Sequence, residues 1–166
     1  MANVFSNLAT AQNTAVTNGA DRPSLPTYGG TLHFAQVQKT AYTAATADPL
    51  YLMRLPKGAR LIPQLCSVDY GDPGDACTGS IGYFTTAETP VVVDVDAFGT
   101  ALALGSAAGR KFFSEAGTIG VDFLTPVTFT TDVWIVVTWT TVTSGVSHAQ
   151  NWNLAYTLAS TIHSKG

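Results

Sequence analysis

From Thr31 onward, apolar and polar residues alternate with a period of two, in short runs separated by turn residues. The clearest run is Val133–Val142, in which Val133, Ile135 and Val137 alternate with Trp134 and Val136. Successive side chains of a β-strand point to opposite faces, so this period is typical of strands. The flanking Gly, Pro and Asp residues favour turns between them. The pattern therefore predicts an all-β chain, with Val133–Val142 as a central strand covered on both faces.

About eight to ten strands are predicted, with no long helix among them. Regularly spaced short strands of this kind predict an antiparallel β-sandwich or barrel, and the count fits a jelly roll. The Ala/Gly-rich segment 100–110 is predicted to be a short helix, or a loop with a small strand. The predicted strands are Leu32–Val37, Leu50–Leu55, Ala59–Tyr70, Thr78–Thr86, Pro90–Val95, Thr118–Phe123, Pro126–Thr131, Val133–Val142 and Trp152–Ala159.

Three details of the strand pattern lead to specific expectations. Lys57-Gly58 lies between two predicted strands and is predicted to form a tight turn. Pro63 cannot donate to a ladder, so its strand is expected to lie at an edge or to carry a bulge there. Gly82 has no side chain, so a neighbouring backbone or ring is expected to approach it closely.

Residues 1–30 lack this periodicity and end in breakers, Pro23, Pro26 and a Gly-Gly pair. We interpret them as an extended N-terminal arm, followed by one β-sandwich domain over residues 31–166. An arm with little core of its own becomes ordered by lying on its own domain or on a neighbour. The candidate interface residues are large apolar side chains of the arm and one late aromatic: Phe5, Leu8, Leu25, Tyr28 and Trp152.

Charged residues make up only 11% of the chain, whereas 46% is hydrophobic. Soluble domains usually carry about twice that share of charge. Because protein interfaces are depleted in Lys, Glu and Asp, we expect partner subunits to cover much of the surface. A monomer with a Thr/Ser surface is the alternative that composition leaves open.

Charge and hydropathy also bear on nucleic acid and membranes. The net charge is −3 and the basic residues are scattered, which disfavours direct binding of nucleic acid. The first residues do not resemble a secretory signal, and the longest apolar run, Val133–Val137, is too short to cross a bilayer. The protein is therefore expected to be made in a cytoplasm and to have no membrane partner.

Two cysteines, Cys66 and Cys77, flank an Asp-rich loop. Cytoplasmic synthesis favours buried free thiols, and a disulfide closing the short loop is the alternative.

The loop between the cysteines places Asp69, Asp72 and Asp75 at a spacing of three residues. Calcium takes several carboxylate and carbonyl oxygens, so this loop is a candidate calcium site. It lacks the alternating acidic ligands and closing Glu of an EF-hand. Asp and Gly are also ordinary turn residues, which favours a solvated turn and no bound metal.

The sequence contains no recognisable set of catalytic residues. Asp94 and Asp96 share one strand face, but they are too close along one strand to flank a glycosidase cleft. The three histidines are far apart, and no nucleophile elbow, P-loop or dinucleotide fingerprint occurs. The chain is therefore predicted to be neither an enzyme nor a cofactor-binding protein.

Aromatic residues on the predicted strands could form a carbohydrate platform. Such residues more commonly serve as core or subunit-interface anchors, which is the interpretation we favour. They are Trp134, Trp139, Trp152, Phe112, Phe113, Phe123 and Phe129.

The order of short motifs resembles small virion proteins of tailed bacteriophages. A Leu-Pro-x-Gly-Ala-Arg turn at Leu55–Arg60 leads into an apolar run and a Gly/Asp loop, followed by Gly79–Tyr83. A late strand rich in Val and Thr, Val133–Gly145, closes the segment. The resemblance covers roughly Leu50 to Gly145.

The resemblance implies a capsid decoration or cement protein, a class of accessory head protein. Such proteins are β-sandwiches, often homotrimeric, on the outer face of an icosahedral head, and the resemblance implies no catalytic residues. It implies contacts with the major capsid protein and with sister subunits, with the arm carrying much of the contact. The predicted location is the capsid exterior, after synthesis in the host bacterial cytoplasm. The alternative function is a receptor- or carbohydrate-binding β-sandwich of a phage fibre or spike.

Overall fold

A computed structural model describes residues 32–42, 46–74, 77–105, 107–125, 127–142 and 148–158, without the side chains of residues 40–42. Ten strands account for most of these residues, which confirms the predicted all-β class. The strands are β1 Leu32–Tyr42, β2 Pro49–Leu55, β3 Ala59–Leu61, β4 Ser67–Tyr70, β5 Cys77–Thr85, β6 Val92–Leu104, β7 Gly109–Phe112, β8 Thr118–Ile119, β9 Val133–Val142 and β10 His148–Leu158. The described helical segments are the one-turn helix α1, Val121–Leu124, and the 3₁₀ turns Pro63–Leu65 and Phe113–Glu115.

The strands form two five-stranded antiparallel sheets. Sheet A has the order β1-β10-β4-β7, with β3 also paired to β10, and sheet B has the order β2-β9-β5-β6-β8. Without the short strands β3 and β8, the pairing is nested: β1 with β10, β2 with β9, β4 with β7, and β5 with β6. A long hairpin wound in this way into two four-stranded sheets is a jelly roll.

The core lies between the inward faces of the two sheets and contains several large aromatic side chains. Trp139, Trp152, Phe98 and Phe113 are almost completely buried. Each such ring removes a large apolar area from water, and burying it stabilises the fold by roughly 2–3 kcal/mol. The Trp152 indole N–H donates to Gln150 Oε1 at 3.0 Å, so its polar edge is satisfied inside the core.

The single strand predicted over Ala59–Tyr70 is wrong, and so is the prediction of an edge or a bulge at Pro63. The chain leaves β3 after Leu61, makes the 3₁₀ turn Pro63–Leu65 and re-enters sheet A as β4. Pro63 lies at the start of this turn, where its missing N–H is not needed. Its carbonyl accepts the Cys66 N–H at 3.1 Å, which closes the turn.

Three other predicted segments differ from the structure. Strand β6 continues to Leu104 and β7 begins at Gly109, so segment 100–110 is mainly strand. The strand predicted over Thr118–Phe123 is limited to β8, after which the chain turns into α1. The strand predicted over Pro126–Thr131 reduces to one bridge between Thr128 and Arg60. Local patterning could not show which segments find a ladder partner.

Two glycine predictions are confirmed. Gly58 has a φ of 84° in a tight turn, where its N–H donates to the Phe129 carbonyl at 2.8 Å. Gly82 lies where β6 crosses closely over β5. A Cβ built on Gly82 would lie 2.0 Å from the Asp94 carbonyl oxygen and 2.5 Å from the Val95 carbonyl carbon.

Both cysteines are buried and are not joined in a disulfide, in agreement with the favoured interpretation. Cys66 Sγ donates to the Ile62 carbonyl and accepts the Ala155 N–H, each at 3.3 Å. Burial raises the pKa of the Cys66 thiol to about 12, so it stays protonated at physiological pH.

Candidate interface surfaces

Four of the five predicted interface residues, Phe5, Leu8, Leu25 and Tyr28, lie outside the described residues, as does the boundary between arm and domain. The fifth, Trp152, has no exposed surface and packs edge to face on Phe113, with ring centroids 6.1 Å apart. Its place on the inward face of β10 makes it a core residue, which corrects its nomination as an interface residue.

The Asp-rich loop is held together as a turn. Asp69 lies on β4 and pairs with Arg110 of β7, whose Nη2 is 3.0 Å from Asp69 Oδ2. This pairing holds the pKa of Asp69 below its usual value. The Asp72 carboxylate accepts the Gly74 N–H at 2.7 Å, and Asp75 lies outside the described residues. Within the described part of the chain, no three His, Cys, Asp or Glu side chains converge as metal ligands.

The two described histidines each contact a neighbouring side chain, which gives them a structural role. His33 stacks on Tyr156 with ring centroids 5.3 Å apart. His148 is buried, with its Nε2 2.8 Å from Gln150 Nε2. His163 lies outside the described residues.

A small acidic corner forms where α1 packs beside β6. It contains Asp94, Asp96 and Asp122, with the Tyr83 hydroxyl beside them. The shared hydrogen bond with Asp94 raises the pKa of Asp96. Burial, and then the nearby Asp94, raise the pKa of Asp122. Like charges are therefore held close together at neutral pH, which costs folding free energy.

We expect Asp122→Asn to raise the melting temperature by a few degrees at pH 7. The folded state binds the Asp122 proton more tightly than the unfolded state, so the ionised carboxylate opposes folding above the raised pKa. The benefit should disappear as pH falls to 3.8, the ordinary Asp value, and below, where both side chains are neutral. Thermal unfolding across this pH range is the measurement, with the exposed Asp48→Asn as control. A lower melting temperature at pH 7 would show that the contact with Tyr83 outweighs the repulsion.

A run of exposed apolar side chains lies at the start of β6. Val91, Val92 and Val93 are 60%, 52% and 53% exposed, although they follow one another along the chain. A strand with one face buried would leave only every second side chain exposed. Three consecutive exposed valines therefore lie on a segment that the described part of the chain covers on neither face. Such runs are avoided in soluble proteins unless they serve a function.

An aromatic cluster continues this surface on the outer face of sheet B. Tyr51 packs edge to face against both Phe84 and Trp134, with ring centroids 5.9 Å apart in each pair. Beside Tyr51 and Trp134, the turn between β5 and β6 borders an open depression of about 440 Å³. We call this end of sheet B the valine patch. Tyr51, Trp134 and Val92 lie on its outer face, and Pro90, Val91 and Val93 complete it around the exposed start of β6.

The end of the sandwich that carries the valine patch is held firmly in shape. The Thr85 N–H donates to the Val91 carbonyl and the Val91 N–H to the Thr85 hydroxyl, each at 2.9 Å. A turn closed in this way has less conformational freedom to lose when a partner covers it, which suits docking. This surface was not among the candidates predicted from the sequence, although three consecutive valines beside two aspartates were a usable signal.

A row of polar side chains crosses the outer face of sheet A. Asn153 Nδ2 donates to Asp69 Oδ2 at 3.2 Å, and Gln36 Nε2 donates to Asn153 Oδ1 at 3.4 Å. With the Asp69–Arg110 pair, these contacts form a polar row across β1, β10, β4 and β7.

The fold is similar to that of chains in solved bacteriophage capsids. A chain from the capsid of Ralstonia phage GP4 matches with a TM-score of 0.57 and 17% identity, covering 78% of this chain and 85% of that one. A chain from the capsid of cyanophage Pam1 matches with a TM-score of 0.48 and 15% identity, covering 79% and 87%. A chain from the capsid of Helicobacter pylori bacteriophage KHP30 matches with a TM-score of 0.42 and 14% identity, covering 78% and 95%.

No protein-family model and no curated protein matches the sequence. The likeness to the GP4 chain therefore shows a shared fold. Over the described ranges, no helix has the length and apolar character needed to cross a membrane.

Proposed function

We propose that this protein is a structural protein of a tailed-phage virion, a decoration or cement protein on the outer face of the icosahedral head. It bridges adjacent capsomers as a homo-oligomer, with three subunits as the expected number, and acts through binding alone. The valine patch is the observation that carries the proposal, because exposed apolar side chains that lie together commonly mark a surface that contacts another protein.

Three further observations support this function. The jelly roll is a fold used by viral capsid proteins. The structural likeness reaches a capsid chain of similar length, since most of each chain is covered. The low charged fraction, 11%, is what a protein with extensive interfaces needs.

The proposed mechanism is apolar burial combined with multivalency. The valine patch docks on the shell formed by the major capsid protein, and each patch gains affinity by removing its valines and aromatic rings from water. When one subunit of an oligomer is bound, the others face their sites at high effective concentration. Several modest contacts can then hold neighbouring capsomers together against the pressure of packaged DNA.

Co-sedimentation with shells of the same phage tests the proposal. The purified protein is expected to be oligomeric by light scattering, to bind expanded shells and to leave unexpanded procapsids unbound. Expanded shells carrying the protein should also resist heat better than bare shells. A monomer that binds neither kind of shell would refute the proposal.

Receptor or carbohydrate binding is the second candidate, and one observation favours it. Tyr51 and Trp134 line the open depression beside the turn that contains Glu88, and aromatic rings beside a polar group suit a sugar. A glycan array separates the two functions. Sugar binding lost in Trp134→Ala, without shell binding, would favour this candidate.

A further inference from the structure

The edge strands of the sandwich differ in how they are protected against pairing with other chains. Exposed strand edges invite pairing with other chains, and proteins usually block them with proline, bulges, charges or short length. Strand β2 begins at Pro49, carries a bulge between Tyr51 and Met53, and presents Arg54. Strand β7 has four residues, two of which are cationic. Both edges are therefore blocked.

Strand β1 has none of these devices over most of its length. Among the described strands it pairs only with β10, and the register shifts only after Lys39. The segment Leu32–Gln38 contains no proline and no Lys, Arg, Asp or Glu. Phe34 is 69% exposed on the outer face, so an apolar group lies directly beside the edge.

The direction of the free backbone groups follows from the opposite strand. The Ala155 carbonyl accepts the Ile62 N–H at 2.8 Å, and the Ala155 N–H donates to Cys66 Sγ at 3.3 Å. Both backbone groups of Ala155 therefore point away from β1. Opposite residues of an antiparallel pair exchange both hydrogen bonds or neither. Phe34, which lies opposite Ala155, must direct its own N–H and C=O to the free edge.

The direction of the backbone N–H and C=O groups alternates from one strand residue to the next, so the direction found for Phe34 applies to every second residue of β1. The N–H and C=O groups of Leu32, Phe34, Gln36 and Gln38 face the open edge, whereas those of the intervening residues bond to β10. The edge thus offers four donors and four acceptors at the regular spacing of a ladder. An extended peptide could add to sheet A there as a further strand.

We propose that residues 1–30 of a second copy of this chain pair with the β1 edge. The arm of each copy leaves at Leu32, the first residue of the same strand, so a swapped arm links one edge to the next. An extended chain of 30 residues reaches about 100 Å, several times the length of β1. The remainder can span the gap between two sandwiches. This inference deepens the oligomeric state assigned under the proposed function.

The composition of the arm fits this edge. Residues 1–20 contain no charged side chain and no proline, so none of their backbone N–H groups is missing and no charge would be buried. They include Thr and Val residues that favour strands. Pro23 and Pro26 lie close to the exit point. A segment of the same chain folding straight back on its own edge would place these prolines in the ladder, which favours the arm of a neighbour.

Cross-linking between isotopically distinct copies tests the swap. A photo-cross-linking amino acid replaces Gln38 in full-length chains, and labelled and unlabelled chains are mixed and allowed to exchange subunits. The expected products join position 38 of one isotope to residues 1–30 of the other. Products of a single isotope only, or products outside residues 1–30, would overturn the proposal.

Amide hydrogen exchange on the full chain gives a second measurement. In the oligomer, the amides of Phe34, Gln36 and Gln38 should be protected, and dilution to monomer should remove this protection. The amides of Ala35 and Val37 bond to β10 and should stay protected throughout, as an internal control. Fast exchange of the three edge amides in the oligomer, or protection that survives dilution, would contradict the swap.

A matched pair of substitutions connects the edge to assembly. Gln36→Pro removes one outward N–H while leaving the β10 ladder complete, and Gln36→Ala keeps that N–H. We expect Gln36→Pro to weaken self-association roughly tenfold and Gln36→Ala to leave it unchanged. Equal self-association of the two variants would overturn the proposal. Shell binding is scored separately, so an intact swap with no shell binding refutes only the head-protein function.

Discussion

Replacing both Val92 and Val93 with aspartate is expected to weaken binding to expanded shells roughly 100-fold. Each valine is about half exposed in the isolated chain and would become buried on docking. An unpaired carboxylate at the centre of an apolar contact loses hydration without gaining a partner, which costs more than the lost methyl contacts. A 100-fold loss corresponds to about 2.8 kcal/mol. Co-sedimentation over a range of protein concentrations measures the effect.

The control for this prediction is Leu65→Asp. Leu65 is 49% exposed, but it lies on the 3₁₀ turn between β3 and β4, outside the valine patch. The control should bind shells like the unmodified chain, and both variants should keep the same melting temperature. If the double variant binds normally, or if both variants lose binding equally, the valine patch is not the docking surface.

The second large effect concerns Gly82, and it acts on folding. In Gly82→Ala the new Cβ would lie 2.0 Å from the Asp94 carbonyl oxygen and 2.7 Å from the Val95 carbonyl oxygen. These are backbone atoms and cannot rotate away, so β6 must move off β5. We expect the free energy of unfolding to fall by at least about 2 kcal/mol, measured by urea denaturation.

Gly105→Ala is the matched control for Gly82→Ala. A Cβ at Gly105 would have only the Tyr70 hydroxyl nearby, at an ordinary 3.6 Å, and its N–H could still donate to that hydroxyl. The control should change stability by less than about 0.5 kcal/mol. Two equal losses would show that the close approach of β6 to Gly82 is not the cause.

The two proposed surfaces have different roles in a head protein. The valine patch lies at the β5–β6 end of sheet B and is proposed to contact the shell, whereas the β1 edge lies in sheet A and is proposed to join copies. Substitutions at Val92 and Val93 should leave self-association intact. Gln36→Pro should lower shell affinity only through the lost multivalency. The two sets of variants therefore separate assembly from docking.

The sequence by itself determined the all-β class, most strand positions, the turn at Gly58 and the small residue at Gly82. Each depends on local physics: a period of two, missing donors and the conformational freedom of glycine. The jelly roll was predicted only as a count of strands. Its nested pairing depends on contacts between distant segments, such as β1 with β10, and periodicity carries no information about them.

Only the tertiary structure decided which apolar residues are buried and which are exposed. Trp152 and Val92 both lie on predicted strands, and both are apolar. Trp152 faces the second sheet and is covered completely, whereas Val92 begins β6 at the end of sheet B and stays half exposed. The sequence could not show the free edge of β1 either. The direction of the Phe34 N–H and C=O depends on which residues form hydrogen bonds with Ala155, the residue opposite it. Exposure and pairing are properties of the whole packed sandwich, so the candidate interfaces appeared only with it.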